Sequence, residues 1–294
     1  MKRACCGLVV GCLLVASSLA LAQVEAVDLF RLGAQELAAG QIDQAIDAFQ
    51  KGVQVKPEAR EGWYNLGVAY GRKRLHQKEA EAYQKALELD PKYVNAWHNL
   101  GLAWYDLGQK DKAIEALTKA AQLDESAQDA WNNLGVVMLD KGDPAAAATA
   151  FRKAAAVSPA CSECRFNLGV ALLRQADQET VAQKREPLLR EAVKANDEVL
   201  ALDAKNHRAA FNKGIVLHRL GDVDGEIAAC RVAIGIKPDY LAALYNLATA
   251  LSQKADRAAA LEAWEIYAKA ASGNPAERPF VDNANKEIVR LKTP

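Results

Sequence analysis

Two thiols stand three residues apart at Cys161 and Cys164, in the run Cys-Ser-Glu-Cys that follows Pro159 by one residue. That spacing suits three chemistries. The sulfurs can close a disulfide across one turn, exchange with outside thiols, or supply half of a tetrahedral zinc site. No histidine follows Cys164, so haem attachment is not indicated, and His76, His98, His207 and His218 lie in other parts of the chain. The strand–helix–strand unit that usually surrounds a redox dithiol is not legible here. The residues favour a structural disulfide that staples the turn, with free thiols, or a redox or metal role, as the alternatives. Cys230 falls in an apolar column and reads as a small, inert hydrophobe.

Other catalytic constellations are missing from the sequence: it has no Gly-rich phosphate loop, no HExxH and no GxSxG. With 37 acids, some carboxylates will always be neighbours, so no acid–base pair is singled out. The expectation is a non-enzyme with no cofactor and no metal. Recognition chemistry is more visible. Asparagine recurs at Asn65, Asn99, Asn133, Asn167, Asn212 and Asn246, each two residues before a glycine or, once, before Ala248. A primary amide both donates and accepts, which matches a peptide backbone whatever its side chains. The residue before each of these is Tyr64, His98, Asn132, Phe166, Phe211 or Tyr245. Rings there would add contact area at low entropic cost.

The elements that would position these residues follow from a spacing. Gly33, Gly67, Gly101, Gly135 and Gly169 are 34 residues apart, Gly214 follows after 45, and Ala248 after another 34. With that column placed at position eight of a 34-residue unit, seven units start at Ala26, Arg60, Val94, Gln128, Ser162, His207 and Leu241. Position four then holds Trp63, Trp97 and Trp131, and position seven holds Leu32, Leu66, Leu100, Leu134, Leu168 and Leu247. Position twenty holds Ala45, Ala113, Ala147 and Ala260, and position twenty-four holds Phe49, Tyr83, Leu117, Phe151, Cys230 and Trp264. Positions four, seven, eight and eleven share one helical face, and twenty, twenty-four and twenty-seven share another. Each unit is thus two helices, with small residues where they cross. Gly40, Gly108, Gly142 and Gly221 are expected to end first helices in the left-handed conformation, and Pro57, Pro91, Pro159 and Pro238 to end second helices. Glu79 and Glu226 depart from the small residue at twenty, where a slight rotation would solvate them. Arg165 and Ala210 depart at four, and looser contacts are expected at all of these places. The fifth unit carries about 11 extra residues, around 175–187, expected as an exposed loop or extended helix before a second helix over roughly 188–202.

This pattern resembles the tetratricopeptide repeat family, from about Ala26 to Ser272. EGWYNLGVAY, NAWHNLGLAW and DAWNNLGVVM are similar to its first helices, AIDAFQKGVQVKP and EAYQKALELDP to its second helices. The resemblance implies an all-α fold, a right-handed superhelical solenoid of antiparallel helix pairs. It also implies that positions two, five, six, nine, twelve and thirteen of each first helix face a concave groove. The six asparagines would then form a ladder with a step of about 10 Å, flanked by Tyr64, His98, Phe166, Phe211 and Tyr245. That groove would hold extended peptide segments of partner proteins. The asparagines can also serve hydrogen bonds between helices. The family's carboxylate clamp needs Lys at five and Asn at nine, which this chain lacks, so capture of a C-terminal carboxylate by that clamp is not expected.

The ends complete the organisation. Lys2 and Arg3 precede an apolar run that closes on Ala20-Leu21-Ala22, the pattern of a signal peptide over 1–22 with a mature start at Gln23. Uncleaved anchoring, or lipidation at Cys12, is the alternative. Seven repeats would occupy 23–274, and a capping helix and tail 275–294. The first repeat has no such cover, which leaves self-association open. Removal of Lys2 and Arg3 leaves 35 basic and 37 acidic residues, a charge of −2, with no basic face for nucleic acid. The sequence therefore points to a non-catalytic scaffold in the periplasm or secreted, acting in an envelope or secretion-related assembly. A self-assembling structural protein, or a redox accessory using Cys161 and Cys164, are the alternatives.

Overall fold

A computed structural model describes residues 24–293. The expected leader over 1–22 lies outside the described residues. Every regular element among them is helical. The chain forms two compact units that divide after Val137.

The first unit contains α1 (24–38), α2 (Ile42–Val55), α3 (Arg60–Arg72), α4 (His76–Leu89), α5 (Val94–Asp106), α6 (Lys110–Leu123) and most of α7 (Gln128–Lys141). Consecutive helices pack on each other from α2 to α6. The glycine column explains how closely they cross. A methyl group on Gly33 would stand 2.7 Å from the Phe49 ring, on Gly67 2.6 Å from Tyr83, and on Gly101 2.6 Å from Leu117. Each large residue at position twenty-four therefore presses into the space left by the glycine at eight of its own repeat. Phe49, Tyr83 and Leu117 are almost fully buried there. Burial of one such side chain contributes about 1.5–3 kcal/mol.

The second unit contains the last residues of α7, then α8 (Pro144–Val157), α9 (Ser162–Gln178), α10 (Ala182–Leu202), α11 (His207–Leu220), α12 (Val223–Ile236), α13 (Leu241–Gln253), α14 (Arg257–Ala271), a 3-10 turn (Pro275–Glu277) and α15 (Arg278–Lys292). Consecutive helices pack from α8 to α15. Several are capped by side chains: Asp143, Asn206, Asp222 and Asp256 each accept from a backbone N–H of the first turn. α15 lies on α14 and buries Ala284 and Leu291. Arg257 fixes its end by donating to the carbonyls of Leu291 and Thr293.

First helices end as the glycines predict. Gly40, Gly108, Gly142 and Gly221 all have φ between 73° and 93°. Arg74 and Ala255 occupy the same place in their repeats with φ of 58° and 59°, without the freedom of glycine. In the fifth repeat the equivalent Ala176 stays helical, so α9 runs on to Gln178. The extra residues are absorbed into helix. α10 begins at Ala182, six residues before the expected start, with Pro187 inside it, and only 179–181 stay outside.

The two acids at position twenty do not rotate into solvent. The Glu79 and Glu226 side chains are 11 % and 4 % exposed, and each meets a histidine: His76 Nδ1 lies 3.0 Å from Glu79 and His218 Nδ1 2.9 Å from Glu226. A side chain at Gly71 would collide with the Glu79 carboxylate, so this glycine makes the room for it.

Candidate peptide-binding face

The first helices carry the candidate residues, and each unit presents its own set. In the first unit the set is Tyr64 and Asn65 on α3, His98 and Asn99 on α5, and Asn133 on α7. All are half-buried. They are joined from repeat to repeat. Asn133 Nδ2 donates to His98 Nε2 at 2.8 Å, which leaves His98 Nδ1 as the donor to Asn99 Oδ1 at 3.2 Å. Asn99 Nδ2 donates to the Tyr64 hydroxyl at 3.1 Å and reaches the Tyr83 hydroxyl at 3.4 Å. One tautomer of His98 satisfies the whole chain. The asparagine at six thus holds the residue at five of the preceding repeat. The Asn65 side chain hydrogen-bonds to no described residue.

Tyr64 also packs its ring 5.0 Å from Tyr93, at the last position of its repeat, and 5.6 Å from Tyr83. Burial pushes the Tyr64 and Tyr83 hydroxyls above the usual tyrosine range, so both stay neutral donors and acceptors. On the same helix face Val68, Leu102 and Val136 at position nine remain half-exposed, and at thirteen Arg72 and Asp106 are exposed. The indoles at position four turn the other way. Trp63, Trp97 and Trp131 donate to the carbonyls of Pro57, Pro91 and Glu125, each six residues earlier. They tie a first helix to the turn before it and are not part of the face.

In the second unit the set is Phe166 and Asn167 on α9, Phe211 and Asn212 on α11, and Tyr245 and Asn246 on α13. Here the packing differs at each repeat. Asn212 is buried and donates to Asn196 Oδ1 at 3.1 Å, while Asn196 itself donates to the Ala192 carbonyl at 2.7 Å. Asn196 fills position twenty-four against Gly169, a place held elsewhere by a ring, a leucine or the Cys230 thiol. The Arg208 guanidinium lies over Phe166 at 4.7 Å, and Tyr240 meets Phe211 edge-on at 5.0 Å. Tyr245 is surrounded by Trp264, Tyr267 and Phe280, and Asn283 of α15 donates to its hydroxyl at 3.0 Å. The terminal helix therefore occupies the surroundings of Tyr245. The Asn246 side chain hydrogen-bonds to no described residue, and Asn246, like Asn167, is half-buried.

The remaining candidates lie elsewhere. Cys161 and Cys164 sit at the start of α9 with their sulfurs 2.05 Å apart. Among the described residues, no group of three or more His, Cys, Asp or Glu is placed to hold a metal, and no helix is long and apolar enough to cross a membrane. Tyr93, Tyr240, Asn196, Phe280 and Asn283 all touch the candidate residues and escaped the sequence reading. The two tyrosines share the last position of their repeats, a column the sequence does contain. Asn196 was hidden by the 11-residue shift in the fifth repeat.

Models of the tetratricopeptide repeat match residues 30–94, 94–127, 133–180 and 187–240, more than half of the chain. The chain belongs to the tetratricopeptide repeat family, whose members are typically protein-binding, non-catalytic adaptors. No curated protein matches it in sequence. Its fold is similar to that of several solved proteins. YrrB, described as a TPR protein with an unusual peptide-binding site, aligns with a TM-score of 0.59 at 23 % identity, over 68 % of this chain and 97 % of its own. MamA aligns with a TM-score of 0.52 at 27 % identity, over 59 % and 95 %. The C-terminal part of a TPR repeat-containing protein from Cytophaga hutchinsonii aligns with a TM-score of 0.70 at 15 % identity, over 88 % and 99 %.

Proposed function

We propose that the protein is an exported scaffold whose first-helix face holds extended peptide segments of partner proteins, in an envelope or secretion-related assembly. One observation carries the peptide reading: amides, rings and apolar side chains recur on one helix face, and most of them, Asn132 and Asn212 excepted, stay half-exposed instead of closing into the core. Asn65 and Asn246 keep their whole hydrogen-bonding capacity, and in YrrB the same fold carries a peptide-binding site. Asn99, Asn133 and Asn212 spend donors on neighbouring repeats, so they stiffen the face; the Asn99 oxygen already accepts from His98, and the Asn133 oxygen is left as an acceptor for a ligand. Affinity would come from ring and apolar contact, and the amides would keep backbone groups from being desolvated without partners.

The test is selection of unstructured peptides on the immobilised protein. Asn65→Ala with Val68→Ser should lose at least a tenfold share of the enriched peptides without loss of helix content. Equal retention by the variant sinks the reading. Export is tested by sequencing the N-terminus of the protein recovered from its host, with Gln23 as the expected first residue.

A second reading, self-association through the first repeat, is favoured by Leu32. This position-seven leucine is 44 % exposed, whereas Leu66, Leu100 and Leu134 are each 3 % exposed. Val24 and Val27 on the same helix are exposed as well. Leu32→Lys should then abolish any concentration-dependent increase in mass seen by light scattering.

A further inference from the structure

We propose that Cys161 and Cys164 form an exchangeable disulfide that accepts two electrons from a dithiol on a bound polypeptide, with Cys161 as the sulfur that is attacked. This is independent of whether the first-helix face binds peptide. The geometry is asymmetric. Cys161 is half-exposed on the turn after exposed Pro159 and Ala160, while Cys164 is fully buried, so an outside thiolate can reach only one sulfur. Cys161 is also the N-cap of α9, and its Sγ accepts the backbone N–H of Cys164 at 3.0 Å. That N–H and the positive end of the helix hold a thiolate better than they hold a neutral sulfur, so they favour the reduced form.

A second feature of the same repeat acts in the same direction. Position four, an indole in the three preceding repeats, is Arg165. Its guanidinium donates to the Cys161 carbonyl at 3.3 Å, with its Nε held by Glu198 at 3.0 Å. A fixed cation therefore stands beside the accessible cysteine only where the dithiol occurs. A purely structural bond has little to add here. It would close four residues that the first turn of a 17-residue helix already orders, and short loops gain least from cross-linking.

The step balances as follows. A partner thiolate attacks Cys161 Sγ, forming a mixed disulfide, and the Cys161–Cys164 bond breaks. Cys164 leaves as a thiolate and takes a proton. The partner's second thiolate then attacks its own bonded sulfur, closes the partner's disulfide and releases Cys161 as a thiolate against the Cys164 N–H. The partner dithiol is oxidised and the Cys161–Cys164 pair reduced. Arg165 is a positioning residue. Cys230 supplies an internal reference, because burial first, and then the nearby Glu226 charge, push its thiol up to about 12.

The test uses the folded full-length chain, reduced glutathione, and a synthetic peptide bearing two cysteines. The expected result is reduction of the pair by either reagent without unfolding, read by peptide mapping as mass tags on Cys161 and Cys164 while Cys230 stays untagged. With oxidised glutathione in place of reduced, Cys164→Ser should trap a glutathione adduct on Cys161, with one glutathione released as thiol, and Cys161→Ser should trap none on Cys164. In the reduced protein, the pH profile of Cys161 alkylation should lie below that of an ordinary thiol, and Arg165→Gln should move it upward with at least a threefold slower rate at pH 6. A pair that is reduced only after denaturation, or a Cys161 profile like that of an ordinary thiol, overturns the proposal. Both of those measurements are made on the unmutated chain, so they decide even where a variant fails to fold.

Discussion

The Asn133 amide donates to His98 Nε2 at 2.8 Å, across the boundary between two repeats. With that nitrogen filled, His98 Nδ1 bonds Asn99, and Asn99 bonds Tyr64, so three successive first helices share one hydrogen-bonded line. His98→Phe removes the centre of that line and leaves partly buried amide groups without partners. The expected cost is about 1–3 kcal/mol. His98→Gln has both a donor and an acceptor and should recover part of it. Urea midpoints of the two variants, compared with the parent, measure the difference.

The glycine column makes a sharper distinction. A methyl on Gly67 would stand 2.6 Å from the Tyr83 ring, whereas on Gly214 its nearest contact would be Cys230 Sγ at 3.4 Å. Tyr83 is 2 % exposed and has nowhere to move. Gly67→Ala should therefore cost about 1–3 kcal/mol through overpacking. Gly214→Ala should be close to neutral or stabilising by up to about 1 kcal/mol, because alanine is the better residue inside a helix. Thermal unfolding of the two variants side by side checks the ordering.

This contrast also shows how far the sequence could be read. The 34-residue period marks every glycine alike, and it shows the helix pairs because small residues must recur where helices cross. It cannot show that Gly67 is wedged by a ring and Gly214 is not, because that depends on position twenty-four of the same repeat. The asparagine column was legible for the same reason. Its division of labour was not, since Asn99 and Asn133 are used by Tyr64 and His98, whereas Asn65 has no such neighbour before it. Tyr245 looked like a groove ring, yet its surroundings are filled by Phe280 and Asn283, 35 and 38 residues later and outside the repeat register. The broken spacing puts extra residues around 175–187, a stretch that the structure describes as the end of α9, a short link and the start of α10. That it continues two helices rests on Ala176, which stands where glycine would have ended the first.

Ala255 tests the rule that glycine ends these helices. It holds φ of 59°, at the position where Gly40, Gly108, Gly142 and Gly221 sit. The left-handed conformation costs an L-residue about 1–2 kcal/mol, offset in part by the greater freedom that glycine loses on folding. Ala255→Gly should stabilise the protein by about 0.5 kcal/mol or more, a direction opposite to that of glycine substitution at a helical position such as Ala250. Arg74→Gly should act in the same sense. Calorimetric melting temperatures of Ala255→Gly and Ala250→Gly check the opposite signs.

Glu79 gives the fold a pH dependence whose direction follows from its burial. Removal from water is the main cause that raises its carboxyl above the usual range. The hydrogen bond and charge of His76 oppose this, and Asp106 adds to it. Asp106 stands 3.6 Å from His76, so the three groups form one cluster. A carboxyl whose folded value lies above its unfolded one binds its proton more tightly in the native state. The stability this group contributes is then complete below the unfolded value, about 4.3, and is lost as pH rises through the higher folded value. Glu79→Gln keeps the shape beside Gly71 and a group able to bond His76, but it has no proton to lose. The stability of the variant relative to the parent should therefore climb as pH rises from about 4.3 toward neutrality. Urea denaturation of both proteins across that range, with a flat or falling difference, would remove burial of Glu79 as the cause.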